Sequence, residues 1–308
     1  MMEKRLTTTA MLFSVGFVFM LVCAVGAFFY GVKIGSDKTE MKYASTAKAD
    51  EEAAKLASTP YQQQDLVSFY LTVYSPYREF QNDWFAAMTK LSKGQDVDTE
   101  ATFKKLAKLA EQKAKEASSF DMQKSPLLGE AQVGYIRSLK KFKEAADKAT
   151  NANSNTNVIE LYKIILNEKN YIAATDESLI AQRAYFYAMQ KWAATVDPDI
   201  PSAYKTSEPI SVKQWNSLPI SIKNIIVVDY LVKRNELNPF YPHDLTSRVD
   251  EFIESGQASK MKLTTLNAIV DLLLNTEAVD LGDFALNKGR FYQSEVLPQL
   301  PFFYPETP

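Results

Sequence analysis

Between Leu66 and Leu91, apolar residues recur at alternating steps of four and three: Leu66, Tyr70, Val73, Tyr77, Phe80, Trp84, Ala87 and Leu91. This spacing is an a/d heptad stripe, and it predicts one long α-helix whose seam faces neighbouring helices. Tyr70, Tyr77, Phe80 and Trp84 lie on that seam, so the rings are expected in a shared core and not on an exposed platform for sugars or bases. Pro76 interrupts the stripe. It lacks an amide proton and crowds the carbonyl four residues back, so a kink or break is expected near Thr72–Pro76. The stripe resumes in register beyond it, which favours one kinked helix over two unrelated ones.

Three further segments carry helical apolar faces. Residues 98–119 place Phe103, Leu106, Ala110, Ala114 and Ala117 on one side, with lysines and glutamates opposite. Residues 130–149 carry Val133, Ile136, Leu139, Phe142 and Ala146. Residues 157–195, with Val196 just beyond, carry Val158, Leu161, Ile165, Ile172, Leu179, Phe186, Met189 and Ala193, and Asp176 is a candidate start for a new helix within them. The joints SKGQDVD, SFDMQKSP and TNANSNTN are polar and turn-like. The expected fold is all-α, an up-down-up-down four-helix bundle over 60–196.

VDPDIPSAYKTSEPIS, at 196–211, is rich in proline and reads as a linker. Beyond it a second, smaller all-α domain is expected over 197–308, with helical candidates at 211–234, 244–255, 260–275 and 277–296. Pro219 is expected to split the first of these, Ser247 to Asp250 resembles a capping box, and Gly256 stands where a helix ends. IIVVDYLV has β-branched character but no partner strand nearby, so it reads as a buried helix. The tail LPQLPFFYPETP is expected to lie extended over a surface. Both ends of an up-down-up-down bundle emerge on one side, so the linker should leave beside Pro60.

The N-terminal part bounds location. Residues 11–32 hold no charge over 22 positions, enough for a helix to span a hydrocarbon core of about 30 Å. Lys4 and Arg5 precede the run and favour an inside N-terminus. The run exceeds the apolar core of a cleaved signal peptide and ends in Phe28, Phe29 and Tyr30, which suit an interfacial anchor. Val22 occupies the place before Cys23 where a lipidation signal needs a small residue. The expected layout is a cytoplasmic tail (1–10), a single transmembrane helix (11–32), a stalk (33–59) and an extracytoplasmic body. The lipid bilayer is then a partner through residues 11–32.

Charge and composition exclude more than they identify. Residues 197–308 are net −5, with ten basic and fifteen acidic side chains, and no part of the chain is a strongly basic nucleic-acid surface. Cys23 is the one cysteine, so no intramolecular disulfide or cysteine zinc cluster can form. His243 is the one histidine; it reads as a surface residue beside Asp244, a candidate N-cap. Neither Ser-His-Asp nor Cys-His catalysis has material, and no phosphate-binding glycine motif is present. No catalytic, cofactor or metal residue is assigned.

Paired carboxylates remain as chemistry that needs no histidine. Glu254 in FIESGQ resembles the Glu-Ser pair of lytic transglycosylases, but SGQASKMKL stands where that family's Gly-Leu-Met-Gln stretch follows. Asp271, Glu277, Asp280 and Asp283 lack the spacing of a calcium loop and read as a solvated helix end. Trp192 and Trp215 flank the linker and are expected in hinge packing or a pocket wall. The expectation is a non-enzymatic interaction or accessory module of the cell envelope, partnered by another envelope or membrane protein. The alternatives are a ligand-binding protein with its pocket between bundle and C-terminal part, and a glycan-cleaving enzyme.

Overall fold

The heptad stripe is one continuous helical run with an irregularity where the proline falls. Gln63–Phe69 (α1) passes through a π-helical turn, Tyr70–Tyr74, directly into Ser75–Ser92 (α2). An α-helical ladder would press the Pro76 ring against the Thr72 carbonyl. The π turn widens the ladder just before it, with the Ser75 amide donating to the Tyr70 carbonyl five residues back. The expected kink or break is therefore a bulge that carries the helix past the proline. Its extra residue puts Val73 and Tyr74 both in the core; Phe69 takes the seam position expected of Tyr70, which is half-buried. Tyr77, Phe80 and Trp84 are buried as the stripe requires.

This computed structural model describes residues 60–122, 124–151, 157–205 and 209–304. The expected tail, anchor and stalk (1–59) lie outside the described residues, as do parts of three connections and the last four residues. Among the described residues no helix is long and apolar enough to cross a membrane. The described chain is all-helical; its one β-type contact is an isolated bridge between Ser211 and Thr265.

Four more helices complete the bundle: Thr99–Ala117 (α3), Pro126–Thr150 (α4), Val158–Leu166 (α5) and Lys169–Val196 (α6). The break between α5 and α6 is at Asn167–Glu168, not at Asp176, because Glu168 caps α6 by accepting from the Asn170 and Tyr171 amides. Contacts fix the directions. The Tyr185 hydroxyl donates to the Leu66 carbonyl at 3.1 Å, Tyr77 bonds Ser178 at 2.6 Å, and Trp84 stacks near Tyr171, so α1–α2 and α6 run oppositely. Tyr77 with Ser138 and Trp84 with Phe142 show that α4 runs alongside α2. Ser125 donates to the Pro60 carbonyl, so Pro60 and the C-terminal end of α6 sit at the same end of the bundle.

On α4, Leu139, Phe142 and Ala146 are buried as expected, but the first turns depart from the expected face: Val133 is exposed and Ile136 half-buried, while Ala131, Gly134 and Tyr135 are buried. Small residues let α4 approach α6 closely: a Cβ on Gly134 would lie 2.9 Å from the Ala181 Cβ and 3.2 Å from the Glu177 carbonyl oxygen. Close backbone approach, not side-chain bulk, sets this interface. Ile172 and Val196, expected on the apolar face of α6, are likewise exposed.

Beyond α6 come Val212–Asn216 (α7), Ile220–Arg234 (α8), Pro242–Glu254 (α9), Gln257–Lys260 (α10), Leu266–Asn275 (α11) and Asp283–Phe291 (α12). Pro219 does split the first candidate, as the N-cap of α8, and IIVVDYLV is buried helix. The α9 N-cap is Tyr241, not Ser247; Ser247 and Asp250 lie inside the helix, because Pro242 starts it and Asp244 closes the capping box. These helices build a core around Trp215, Ile222, Leu245, Val249, Ile269 and Val270, which Leu179 of α6 joins. The bundle core in turn takes in Ile220, Val228, Phe284, Tyr292 and the tail, and Pro60–Pro308 is one compact unit.

The tail corrects a further expectation. It does not lie extended on the surface: Leu297, Leu300, Phe302 and Phe303 are buried in the bundle core, and turns at Leu300–Tyr304 fold the aromatic pair inward. Four large apolar side chains in so short a stretch stabilise more when sequestered than when solvated.

Candidate functional site: the aromatic seam

Where bundle, α9 and tail meet, aromatic rings surround Phe302. Its ring centroid is 4.9 Å from His243 and 5.5 Å from Tyr241, both near-parallel, with Tyr70 at 5.4 Å, Tyr74 at 5.8 Å and Tyr185 at 6.5 Å. Tyr74 reaches this position because the π turn rotates it inward. His243 reaches it because Pro242 begins α9 and turns the second helical residue toward the core. The sequence expectation of a surface histidine is thus overturned: His243 is 1% exposed, beside Tyr241, Phe284, Phe302 and Phe303. Burial pushes its pKa down to about 3, and the positive charge of Arg78 acts in the same direction.

Arg78 is the charged member of the seam. It is buried, donates to Gln81 Oε1 at 2.5 Å and to the Pro239 carbonyl at 2.6 Å, and stacks its guanidinium 4.4 Å from the Tyr241 centroid. Among the described residues no carboxylate pairs with it. Its Nε, the Tyr74 and Tyr135 hydroxyls and His243 Nδ1 are all buried without a hydrogen-bond partner. Gln182 is the polar side chain beside the Tyr74 hydroxyl. Burial raises the Tyr74, Tyr135 and Tyr185 hydroxyls above their ordinary pKa, so they remain protonated donors.

A second polar centre lies among α7, α8, α9 and α12. Asp250 accepts from Lys223 Nζ at 2.9 and 3.0 Å, from Trp215 Nε1 at 2.6 Å and from the Tyr292 hydroxyl at 2.5 Å. These donors hold the carboxylate in place. Above it opens a groove of about 260 Å³ lined by Asn216, Glu254, Phe291 and Glu295, among others. Glu295 accepts from the Ile220 amide, and burial raises its pKa. Glu254 pairs with Arg290 at the rim. Asp250 is so fully engaged that it has little capacity left to act on a ligand.

Other residues singled out from sequence have structural partners. Asp244 lies at the third position of α9 and accepts from the Tyr241, Gly282 and Phe284 amides; burial nonetheless raises its pKa to about 6. Asp271 accepts from Tyr230 and Arg234, and Asp283 from the Asp280 amide, so they do not gather into one cluster with Glu277. Among the described residues no group of histidine, cysteine, aspartate or glutamate is placed to hold a metal ion. Trp215 is buried in the second core, while Trp192 is half-buried against the bundle core. Sequence reasoning missed Arg78, whose signal was a lone basic residue inside the densest aromatic stretch, with Gln81 one helical step on.

No family model matches the chain, and neither curated proteins nor solved structures show significant similarity to it.

Proposed function

We propose that the chain is a non-enzymatic, membrane-anchored protein whose extracytoplasmic helical body serves as an interaction or accessory module of the cell envelope. On this reading residues 11–32 span the bilayer, residues 1–10 stay inside, and an up-down-up-down bundle (60–196) presents a smaller helical part (197–308) outside. The partner is another envelope or membrane protein. The observation that carries the reading is solvent-facing apolar bulk: α5 exposes Ile159, Ile164 and Leu166 within nine residues, and Leu286 on α12 is 84% exposed. Apolar residues left unpaired on helix faces favour a protein surface as their complement. Crosslinking in intact cells with mass spectrometry tests it: a specific adduct is expected with the native chain and is lost in Ile164→Glu or Leu286→Glu. An adduct pattern unchanged in both variants refutes the reading.

A second reading, ligand binding between the bundle and the C-terminal part, is favoured by one observation. Tyr74 and His243, whose rings pack on Phe302, and Arg78, stacked on Tyr241, each keep a buried polar atom without a partner, and native interiors rarely tolerate that.

A further inference from the structure

The groove above Asp250 is an open concavity of the C-terminal helices, about 260 Å³ in volume. Its floor is built from charged groups that are almost wholly buried. Asp250 and Lys223 are each 8% exposed and bond one another at 2.9 and 3.0 Å. With two further bonds, from Trp215 and Tyr292, the Asp250 carboxylate has no lone pair left to offer. The walls carry Glu254 and Glu295 beside the apolar surfaces of Ile253 and Phe291. Three lining side chains are carboxylates and one, Lys223, is a cation, so the field inside the groove is negative.

Two of the three carboxylates already hold a cation of the chain against an aromatic ring. Asp250 holds the Lys223 ammonium, which lies 5.3 Å from the Trp215 ring centroid. Glu254 holds the Arg290 guanidinium, which lies 4.8 Å from the Phe291 ring centroid. Both arrangements combine charge pairing with cation–π attraction. Glu295 is the third carboxylate, and no basic side chain among the described residues bonds it. Its Oε2 accepts from the Ile220 amide at 3.1 Å, which leaves Oε1 without a protein partner. It is half-buried, and the negative charges of Asp250 and Asp197 act on it. Burial first, and those charges next, raise its pKa. A positive charge beside Glu295 would offset both effects.

We propose that this groove is a binding site for an organic cation, an ammonium or guanidinium group carried on a short apolar stem. The cation bonds Glu295, and the stem packs on Ile253 and Phe291. Lys223 and Arg290 stay on the carboxylates they hold now. The site belongs to α7, α8, α9, α12 and the residues just after α12, so it stands whether or not the seam binds a ligand. Free amines and the lysine or arginine side chains of a polypeptide share this chemistry.

The test uses the full chain in nonionic detergent, with n-butylammonium and n-butylguanidinium as cationic probes and n-butanol as their uncharged counterpart. An NMR titration follows the Trp215 indole proton, which is bonded to Asp250 beneath the groove. Both cations are expected to shift that signal and to bind roughly tenfold or more tightly than butanol, the advantage of a hydrogen bond to a charged group. Glu295→Gln keeps an acceptor for the Ile220 amide while removing the charge, and it should bring the cations to within about threefold of butanol. Glu277→Gln removes the same charge at an exposed position outside the groove and should leave the preference intact. Equal binding of cations and butanol, no binding of either cation, or an equal loss in the two glutamine variants overturns the proposal. Where Glu295→Gln does not fold, Asn216→Lys places a tethered ammonium at the groove wall. Cation binding undiminished in that variant also overturns the proposal. A capped Ala-Lys-Ala peptide separates the two sources: binding tighter than butylammonium supports a side chain of a polypeptide partner, and weaker binding supports a free amine.

Discussion

Replacing His243 by phenylalanine isolates the energetic signature of its burial. The ring lies 1% exposed among aromatic neighbours, and its pKa falls from 6.5 to about 3 on folding. The unfolded chain therefore binds one more proton than the native state between those values, and stability falls as pH drops through 6.5. The slope is about 1.4 kcal/mol per pH unit, so the loss attributable to this ring between pH 7 and pH 5 is about 2 kcal/mol. Asp244 works in the opposite sense. Its pKa rises from 3.8 to about 6, so its contribution is full below 3.8 and is lost as pH climbs through 6. Between about pH 4 and pH 6 the two slopes oppose, and the native chain hides most of either effect. His243→Phe removes one of them and keeps ring stacking. Urea unfolding of Pro60–Pro308, which is one compact unit, is measured for both proteins at pH 7 and pH 5. At pH 7 the variant should lie within about 1.5 kcal/mol of the native protein, because the swap conserves an aromatic ring and discards the unpartnered Nδ1 while losing one imidazole bond to the Phe302 backbone. At pH 5 the comparison should move by about 2 kcal/mol in favour of the variant. A difference unchanged between the two pH values would mean that His243 titrates alike in folded and unfolded chains, and the buried placement would be wrong.

Three further substitutions probe the frame around the seam. Trp84→Ala removes a fully buried indole packed on Phe103, Phe142 and Tyr171 and should cost about 3–5 kcal/mol in urea unfolding; a loss under 1 kcal/mol would contradict its burial. Gly134→Ala places a Cβ 2.9 Å from Ala181 Cβ and should cost about 1–3 kcal/mol. Most of that cost should return with Ala181→Gly if the close approach of α4 to α6 is its cause. Asp250→Asn strands the buried Lys223 ammonium and should cost about 3–5 kcal/mol. The double variant Asp250→Leu with Lys223→Met should be far milder, and equal losses would show that the ion pair is not what the site depends on.

Helical periodicity carried most of the fold because it is a local signal. The stripe through Tyr77, Phe80 and Trp84 needs only the 3.6-residue turn to be read, and those residues are buried as expected. The signal failed where backbone approach decides the face. On α4 the pattern of bulky residues pointed to Val133, while Ala131 and Gly134, with little bulk to declare themselves, make the contact. It failed again at the π turn, because one inserted residue moves the seam from Tyr70 to Phe69 and Tyr74, and a proline signals disruption without saying which kind.

The candidate site was hidden for a different reason: its members come from four separate stretches of chain. Tyr74 and Arg78, Tyr185, the PFYPH stretch at 239–243 and the tail FF at 302–303 each read alone as core, turn or surface. Only long-range packing brings them to one ring, and no periodicity encodes such a meeting. Two compositional hints were nevertheless present. His243 and Phe302 both sit in short runs of proline and aromatic residues, which fit neither a solvated loop nor an amphipathic helix. In a chain otherwise built from regular helical stripes, segments that carry aromatic bulk without a period have to bury it against something other than a sister helix. Here they bury it against each other, with the Arg78 guanidinium stacked on Tyr241 beside that meeting place.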